Sequence, residues 1–254
     1  MRLLDLFSGI GGFSLGLERA GFQTVAFCEI EPFCQAVLKK HWPDIPIYED
    51  IRTLTAERLA EDGIGTIDVI AGGFPCQDIS SAGNRAGIEG EQSGLWSEFA
   101  RLICDLRPRY VIVENVADLL ARGFGDVLGD LASSGYDAEW DCIPAATVGS
   151  PQLRDRLFII AYPNESRRGR LEEFHILPKA WKQTPRRRDA YGLDLAESGP
   201  WSRLPDVLSV DYGVPGVVDR IGATGNSVLP QIPEIIGKAI MEYESHRKTV
   251  RGGV

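Results

Sequence analysis

The sequence predicts an α/β fold with a mostly parallel sheet and helices on both of its faces. Short runs rich in Val and Ile alternate with helix-periodic stretches over residues 1–160, and this alternation is typical of parallel strands joined by right-handed helical crossovers. The apolar content of 44% and the charged content of 25% are those of an ordinary globular protein. A chain of 254 residues is also long enough to bury a sizeable core.

The predicted strands are short apolar runs, and the predicted helices are the periodic stretches between them. In chain order, the strands are Leu3–Phe7, Thr24–Cys28, Val69–Ala71, Tyr110–Glu114, Ala138–Ile143 and Arg156–Tyr162. The helices are Phe13–Ala20, Glu31–His41, Leu95–Leu106 and Gly125–Ser134. A final helix over Gln231–Glu244 is predicted to pack back on the sheet, because its apolar residues recur at helical spacing.

The periodic pattern stops between about Pro163 and Val218, where prolines, glycines and the triplet "RRR" occur. Such a stretch is typical of a loop-rich insert. We therefore expect three parts: a main α/β domain over residues 1–162, an insert over residues 163–218, and a C-terminal segment over residues 219–254.

Composition disfavours several classes of site and compartment. The five cysteines are odd in number and form no CxxC pair, and there are three histidines, so neither a disulfide framework nor a metal site is expected. The start "MRLLDLFSG" does not have the pattern of a signal peptide, and no apolar run has the ~18 residues of a membrane span. A cytoplasmic chain without membrane contact is expected.

The charge of the chain is unevenly distributed. The net charge is −9, yet residues 151–190 contain ten Lys and Arg against five acidic residues. A basic segment on an acidic body indicates either a surface that faces a polyanion or a solvated arm, and charge alone leaves both interpretations open.

Glycines follow the first predicted strand and precede the first helix. Gly9, Gly11 and Gly12 would let a ligand approach the backbone at a helix N-terminus, which suits a nucleotide-like molecule. Ser14 stands where a dinucleotide fingerprint would need its third glycine. Glu29, at the end of the second strand, could bind ribose hydroxyls. The alternative is a tight turn that only starts a helix.

Cys76 lies between a proline and a glutamine and begins a glycine-dotted loop that reaches Gly94. A thiol reacts as its thiolate, which needs a polar and partly open surrounding, so catalysis is a better interpretation of Cys76 than packing. The other four cysteines lie in apolar or helical contexts and are predicted to fill the core: Cys28, Cys34, Cys104 and Cys142.

A carboxylate and two arginines also occur at strand ends. Glu114 ends an apolar strand, where an acid is costly unless it is paired or functional. Arg154 and Arg156 are two residues apart, so in a strand both point to the same face. The carboxyl ends of parallel strands meet at one edge of the sheet, so we expect Glu114 to share a site with Glu29, Cys76 and the glycine turn. Two guanidiniums beside a carboxylate and a thiol would suit phosphate and a carbonyl-bearing ring.

The motifs resemble, in order, those of the DNA (cytosine-5) methyltransferase family. They are "DLFSGIGGF", "EIEP", "EDI", "GGFPCQ", "SGLWSEFARLI", "VIVENV", "PQLRDRLFII" and "GNSV". The resemblance implies a Rossmann-like fold that uses S-adenosyl-L-methionine, releases S-adenosyl-L-homocysteine and needs no metal. By matching motif, the residues expected at the cofactor are Phe7, Ser8, Gly9, Gly11, Gly12, Glu29, Ile30, Asp50, Ile51, Pro75, Leu95, Asn226 and Ser227.

The resemblance also implies a mechanism and a set of catalytic residues. Cys76 would add to C6 of a cytosine flipped out of duplex DNA, and Glu114 would bond N3 and the exocyclic amine. Arg156 would hold O2 of the base, while Arg154 would meet backbone phosphate. The residues expected to contact DNA are Gln77, Ser80, Arg186 and Arg187.

The three parts of the chain receive roles from the same resemblance. Residues 1–162 would bind the cofactor and catalyse, residues 163–218 would be an unusually short target-recognition insert, and residues 219–254 would carry the last motif and a helix. Gln92 stands where the family usually has arginine. The resemblance implies a monomeric modification enzyme of a bacterial or phage-infected cytoplasm, with a cognate restriction endonuclease as a candidate partner.

Three alternative functions stay open at the level of the sequence. An RNA cytosine-5 methyltransferase would share the active-site logic, and a catalytically silent DNA-binding subunit would suit the short insert. A nicotinamide-dependent oxidoreductase would suit the glycine turn and Glu29, but it leaves Cys76, Glu114 and the arginine pair unexplained.

Overall fold

A seven-stranded sheet forms the centre of the protein. The computed structural model describes residues 1–75, 94–150, 154–164, 175–177 and 225–251. The strands are β1 (Arg2–Leu6), β2 (Gln23–Cys28), β3 (Ile47–Tyr48), β4 (Val69–Gly72), β5 (Tyr110–Val116), β6 (Tyr136–Pro144) and β7 (Asp155–Pro163). Their order across the sheet is β3-β2-β1-β4-β5-β7-β6.

Strands β1 to β5 are parallel, and β7 runs antiparallel to both β5 and β6. The predicted mostly parallel sheet is therefore confirmed. In the β5–β7 ladder Glu114 lies opposite Phe158, and Val116 lies opposite Arg156. Because β7 is reversed, its first residues lie at the edge where the parallel strands end, beside the end of β5.

Helices cover both faces of the sheet, as predicted. They are α1 (Gly12–Arg19), α2 (Pro32–His41), α3 (Ala56–Glu61), α4 (Leu95–Leu106), α5 (Phe124–Ser133) and α6 (Gln231–Arg251). Residues of α3, α4 and α5 pack with one apolar cluster, and residues of α1 and α6 pack with the other. Within the described residues, no helix has the length and apolar character needed to cross a membrane.

The final helix packs against the sheet as predicted and is longer than expected. Ile232, Ile236 and Ile240 of α6 are buried in the cluster that contains Leu17 of α1 and Phe158 of β7. Because these isoleucines lie four residues apart, they form one stripe on the helix. The helix continues past the predicted end to Arg251.

Some predictions of the sequence analysis are wrong. Strand β3 and helix α3 were not expected, because two and six residues are too few to give a periodic signal. Cys104 was expected in the core but is exposed, whereas Cys28 and Cys34 are buried. The buried face of α4 consists of residues 96, 99, 102 and 103, and position 104 falls outside it. Cys142 is half-buried.

Candidate active site

The turn between β1 and α1 has an unusual backbone. Phe7, Gly9 and Gly11 all have positive φ angles, of 51°, 53° and 86°. Non-glycine residues rarely adopt such values, so Phe7 marks a locally constrained turn. Among the described residues, and apart from the two chain neighbours of Gly9, no atom lies within 4 Å of the place where a Cβ on Gly9 would stand. The open space beside Gly9 lets another molecule reach the backbone of this turn.

Glu29 joins the end of β2 to this turn. Its Oε2 accepts a 2.6 Å hydrogen bond from the backbone N–H of Gly9, and its Oε1 accepts one of 2.8 Å from Glu31. Burial raises the pKa of Glu29, and the backbone donors oppose that rise. The side chain of the adjacent Ile30 is 58% exposed. Gly9, which follows β1, and Glu29, which follows β2, are both predicted cofactor residues, and they are in contact. The exposed side chain of Ile30 is next to the Glu29 carboxylate in the chain.

Asp50 and Ile51 follow β3 at the next strand end. Asp50 caps a short 3₁₀ turn (Ile51–Thr53) by accepting a 2.9 Å hydrogen bond from the N–H of Arg52, whose guanidinium lies 2.8 Å away. The hydrogen bonds from Arg52 lower the pKa of Asp50. Ile51, the first residue of this turn, is buried. A second carboxylate, that of Asp50, therefore stands next to a buried apolar side chain at this edge of the sheet.

Asp5 of β1 is a buried acid beside the glycine turn that was not predicted as a site residue. It is fully buried, and its Oδ2 accepts hydrogen bonds from the hydroxyl of Ser14 at 2.6 Å and from its N–H at 3.1 Å. Burial raises the pKa of Asp5 to about 8. Asp5 thereby satisfies an N-terminal N–H of α1 and fixes the helix behind the glycine turn. An acid inside the apolar run "LLDLF" was the available signal.

Glu114 and the two arginines come together as predicted. Glu114 is buried at the end of β5, and its Oε1 lies 3.0 Å from Nε of Arg156 and 3.8 Å from Nη2 of Arg154. The Arg154 distance is too long for a hydrogen bond and the Arg156 contact is an ion pair without hydrogen-bond geometry, so among the described residues Oε1 is a buried acceptor with no hydrogen-bond donor of ordinary geometry. Burial raises the pKa of Glu114, and the charges of Arg156 and Arg154 oppose that rise.

Arg154 also connects this centre to the C-terminal motif. Its Nη1 donates to the carbonyl of Ser227 at 2.7 Å, and its Nη2 donates to that of Asn226 at 3.2 Å. Only 12% of the Arg154 side chain is exposed. Gly12 lies against the backbone of Val228 with no room for a Cβ. The C-terminal motif therefore lies between the glycine turn and the Glu114 centre, and the phosphate contact of Arg154 stays a prediction.

The segment after β4 is held beside Glu114. The side-chain amide of Asn115 donates a 3.2 Å hydrogen bond to the carbonyl of Phe74, and its oxygen accepts one of 2.8 Å from the N–H of Val116. A Cβ on Gly73 would stand 2.7 Å from Oε2 of Glu114. Neither Gly73 nor Asn115 was predicted as a site residue, although both lie in quoted motifs.

The nucleophile candidate follows this segment directly. Pro75 is half-buried beside it, and Leu95 begins α4 at the far side of residues 76–93. Five predicted site residues lie outside the described part of the chain: Cys76, Gln77, Ser80, Arg186 and Arg187. Among the described residues, no group of His, Cys, Asp and Glu could hold a metal ion.

A comparison with known protein families matches most of the chain to one family. The model for "C-5 cytosine-specific DNA methylase" matches residues 1–200. That range contains the glycine turn, Glu29, Cys76, Glu114 and the arginine pair.

Two curated protein sequences and one solved structure that resemble this chain are methyltransferases by name. The Type II methyltransferase M2.BsuMI of Bacillus subtilis is 37% identical over 63% of this chain and 42% of its own length. The Type II methyltransferase M.AquIA of Picosynechococcus is 30% identical over 82% of this chain and 88% of its own length. A solved structure titled as a candidate DNA modification methyltransferase of an E. coli prophage is 28% identical, with a TM-score of 0.56 over 66% of this chain and 48% of that one. The chain thus spans less than half of the length of two of these three.

Proposed function

We propose that this chain, which belongs to the C-5 cytosine-specific DNA methylase family, transfers a methyl group from S-adenosyl-L-methionine to C5 of cytosine in duplex DNA. The observation that carries the proposal is the buried Glu114 carboxylate, whose Oε1 has two arginines beside it and, among the described residues, no hydrogen-bond donor of ordinary geometry. Such a group can bond a polar ring edge that carries both an acceptor nitrogen and an amine, and cytosine presents that edge once it has left the base stack.

Glu114 would act on the cytosine ring through N3. A carboxyl whose pKa is raised by burial holds its proton to a higher pH than an exposed one, and it can share that proton with N3 while it accepts a hydrogen bond from the exocyclic amine. This interaction draws electrons toward N3 and makes C6 electrophilic. A positioned proton transfer of this kind contributes roughly 10²–10⁴-fold to the rate. Arg156 would hold the O2 edge.

Cys76 would supply the nucleophile. Its thiolate forms a bond to C6, which places electron density on C5, and C5 then takes the methyl group. Loss of the C5 proton to a base restores the ring double bond and breaks the sulfur–C6 bond. The thiolate is thereby regenerated, and the enzyme is ready for another cycle.

The described residues fit S-adenosyl-L-methionine. Each carboxylate oxygen of Glu29 accepts one backbone N–H and keeps a lone pair for a ribose hydroxyl. The exposed Ile30 side chain and the Asp50 turn suit the face and the amino group of an adenine ring. When bound, the cofactor supplies an electrophilic methyl group. Phe7, with Pro75 and Leu95, would border its remaining length.

Contacts to DNA would come mainly from residues outside the described ranges. Gln77 and Ser80 follow the nucleophile, and Arg186 and Arg187 belong to the basic segment. Cationic side chains bind phosphates without reading sequence, and flipping the base costs roughly a few kcal/mol that these contacts would offset. Monomeric action in a bacterial or phage-infected cytoplasm, beside a cognate restriction endonuclease, is part of the same proposal.

Transfer of labelled methyl groups to nucleic acid tests the proposed function. Purified protein is incubated with labelled S-adenosyl-L-methionine and either duplex DNA or transfer RNA, and bisulfite sequencing locates the modified base. Label at C5 of cytosine in DNA supports the proposal, whereas label only in RNA contradicts it.

A covalent trap tests the role of Cys76. Duplex DNA with 5-fluorocytosine at the methylated position should form a stable adduct, because fluorine cannot leave C5 as a proton does. Cys76→Ser should abolish the adduct, and Cys104→Ser, which changes an exposed cysteine of α4, should not. A trapped complex that survives Cys76→Ser would assign the nucleophile elsewhere.

A further inference from the structure

A largely buried acid outside the site, Glu139, connects the edge strand β6 to the predicted recognition insert. Oε1 of Glu139 accepts a 3.0 Å hydrogen bond from the N–H of Ile176, and Oε2 accepts one of 3.2 Å from the N–H of Leu177. Nδ1 of His175 lies 3.8 Å from Oε2, and Tyr162 also bonds the carboxylate. The Glu139 carboxylate therefore accepts the N–H groups of two consecutive residues, Ile176 and Leu177, which lie 37 and 38 residues further along the chain.

Apolar packing supports the same contact. Ile176 and Leu177 are each 2% exposed and belong to the apolar cluster that contains Phe158 and Ile160 of β7. Glu139 lies directly opposite Ile160 in the β6–β7 ladder, so the side chains of Glu139 and Ile160 are on the same face of the sheet. Ile176 and Leu177 pack on that face. Residues 175–177 are therefore fixed to the sheet by both polar and apolar contacts.

The Glu139 carboxylate orients the backbone of Ile176 and Leu177, which apolar packing alone does not do. Burial raises the pKa of Glu139, and the N–H groups of Ile176 and Leu177 oppose that rise, so the charged form depends on those donors. Charge-assisted hydrogen bonds are stronger and more directional than apolar contacts. An apolar residue could pack against Ile176, but it would not set the orientation of the backbone there.

We propose that Glu139 is a positioning residue for DNA, and this inference rests on the proposed function. The basic segment with Arg186 and Arg187 continues directly from Leu177. On the other side, β6 pairs with β7 along its length, and Ile143 lies opposite Arg156 of the Glu114 centre. Glu139 therefore fixes residues 175–177, inside the predicted insert, relative to the Glu114 carboxylate.

Two variants and a matched control test this inference. Glu139→Ala removes both acceptors, and Glu139→Gln keeps one acceptor but turns an amide donor toward the other N–H. Asp141→Asn removes an exposed acid two residues further along the same face of β6. Hydrogen exchange at the amides of Ile176 and Leu177 reports the anchor itself. KM for DNA, kcat at saturating DNA and Kd for S-adenosyl-L-methionine report its effect.

Loss of the charge-assisted bonds should raise KM for DNA about tenfold in Glu139→Ala and less in Glu139→Gln. Both variants should exchange the two amides faster, with kcat and cofactor Kd unchanged, and Asp141→Asn should match the wild type. An unchanged KM for DNA would overturn the inference, and so would a parallel loss of kcat and cofactor binding, which indicates general damage. A wild-type protein that methylates no DNA would instead overturn the proposed function.

Discussion

At the scale of the residue, Glu114 combines burial with incomplete bonding. Buried polar atoms are nearly always hydrogen-bonded, because an unpaired one costs about 1–3 kcal/mol. Within the part of the chain that the structure describes, Oε1 of Glu114 has ion pairs with two guanidinium groups but no hydrogen-bond donor of ordinary geometry. A substrate amine that donates to this oxygen completes its bonding, and the incomplete bonding of the free protein therefore favours the complex.

Glu114→Gln tests whether the carboxyl acts as an acid. Glutamine has nearly the same shape but cannot give a proton to N3, so kcat should fall roughly 10²–10⁴-fold while cofactor affinity stays unchanged. The wild-type kcat should decline as pH rises through the raised pKa of Glu114, because the protonated form is lost, and the variant should lack that limb. Methyl transfer measured from pH 5 to 9 checks both statements.

The control for this substitution is Glu61→Gln, which neutralises an exposed glutamate. It should retain wild-type activity over the whole pH range. Wild-type kcat in Glu114→Gln would contradict the assigned role, provided that circular dichroism shows both variants to be folded.

At the scale of the element, strand ends were predictable and their distant partners were not. Apolar runs indicated β5 with Glu114 at its end, and the spacing of Arg154 and Arg156 indicated a common face. The reversed direction of β7 was not predicted, because a hydropathy pattern is the same read either way. The partners of Asp5 and Glu139 are nine and 37 to 38 residues away, and no local pattern reports contacts at such separations.

The contact between β1 and α1 predicts a dependence of stability on pH. Asp5 has a folded pKa of about 8, against an ordinary value of 3.8. Between these values the unfolded chain releases the proton and the folded chain keeps it. The contribution of Asp5 to stability is therefore fully present below about pH 4, and it is lost as pH rises to about 8.

Asp5→Asn should remove this dependence, because asparagine still accepts from Ser14 but does not ionise. The Tm of the variant should rise relative to that of the wild type as pH increases from 4 to 8, with no further change above about 8. Thermal unfolding at several pH values measures the difference. Asp44→Asn, at an exposed position, should follow the wild type; a pH-independent difference for Asp5→Asn would contradict the assigned protonation.

At the scale of the whole molecule, α6 joins the C-terminal motif to the sheet. Glu244 of α6 is buried, pairs with Arg109 and accepts a 2.7 Å hydrogen bond from the hydroxyl of Tyr110 at the start of β5. Asn226 and Ser227, which hold Arg154, lie shortly before the same helix. The docking of α6 therefore supports both ends of β5, one through Glu244 and the other through Arg154 and Glu114.

A double-mutant cycle on Glu244 and Tyr110 measures this docking. Glu244→Ala leaves the buried Tyr110 hydroxyl without its acceptor and should cost about 1–3 kcal/mol of unfolding free energy. For a chain of this length, each kcal/mol lost lowers Tm by roughly 2–4 °C.

Tyr110→Phe removes the other partner of this hydrogen bond and should cost less unfolding free energy, because Arg109 and Arg247 still face the Glu244 carboxylate. The double variant should lose less than the sum of the two, since one hydrogen bond is counted in both. Strictly additive losses in denaturant titrations would show that the Tyr110 and Glu244 side chains do not stabilise each other.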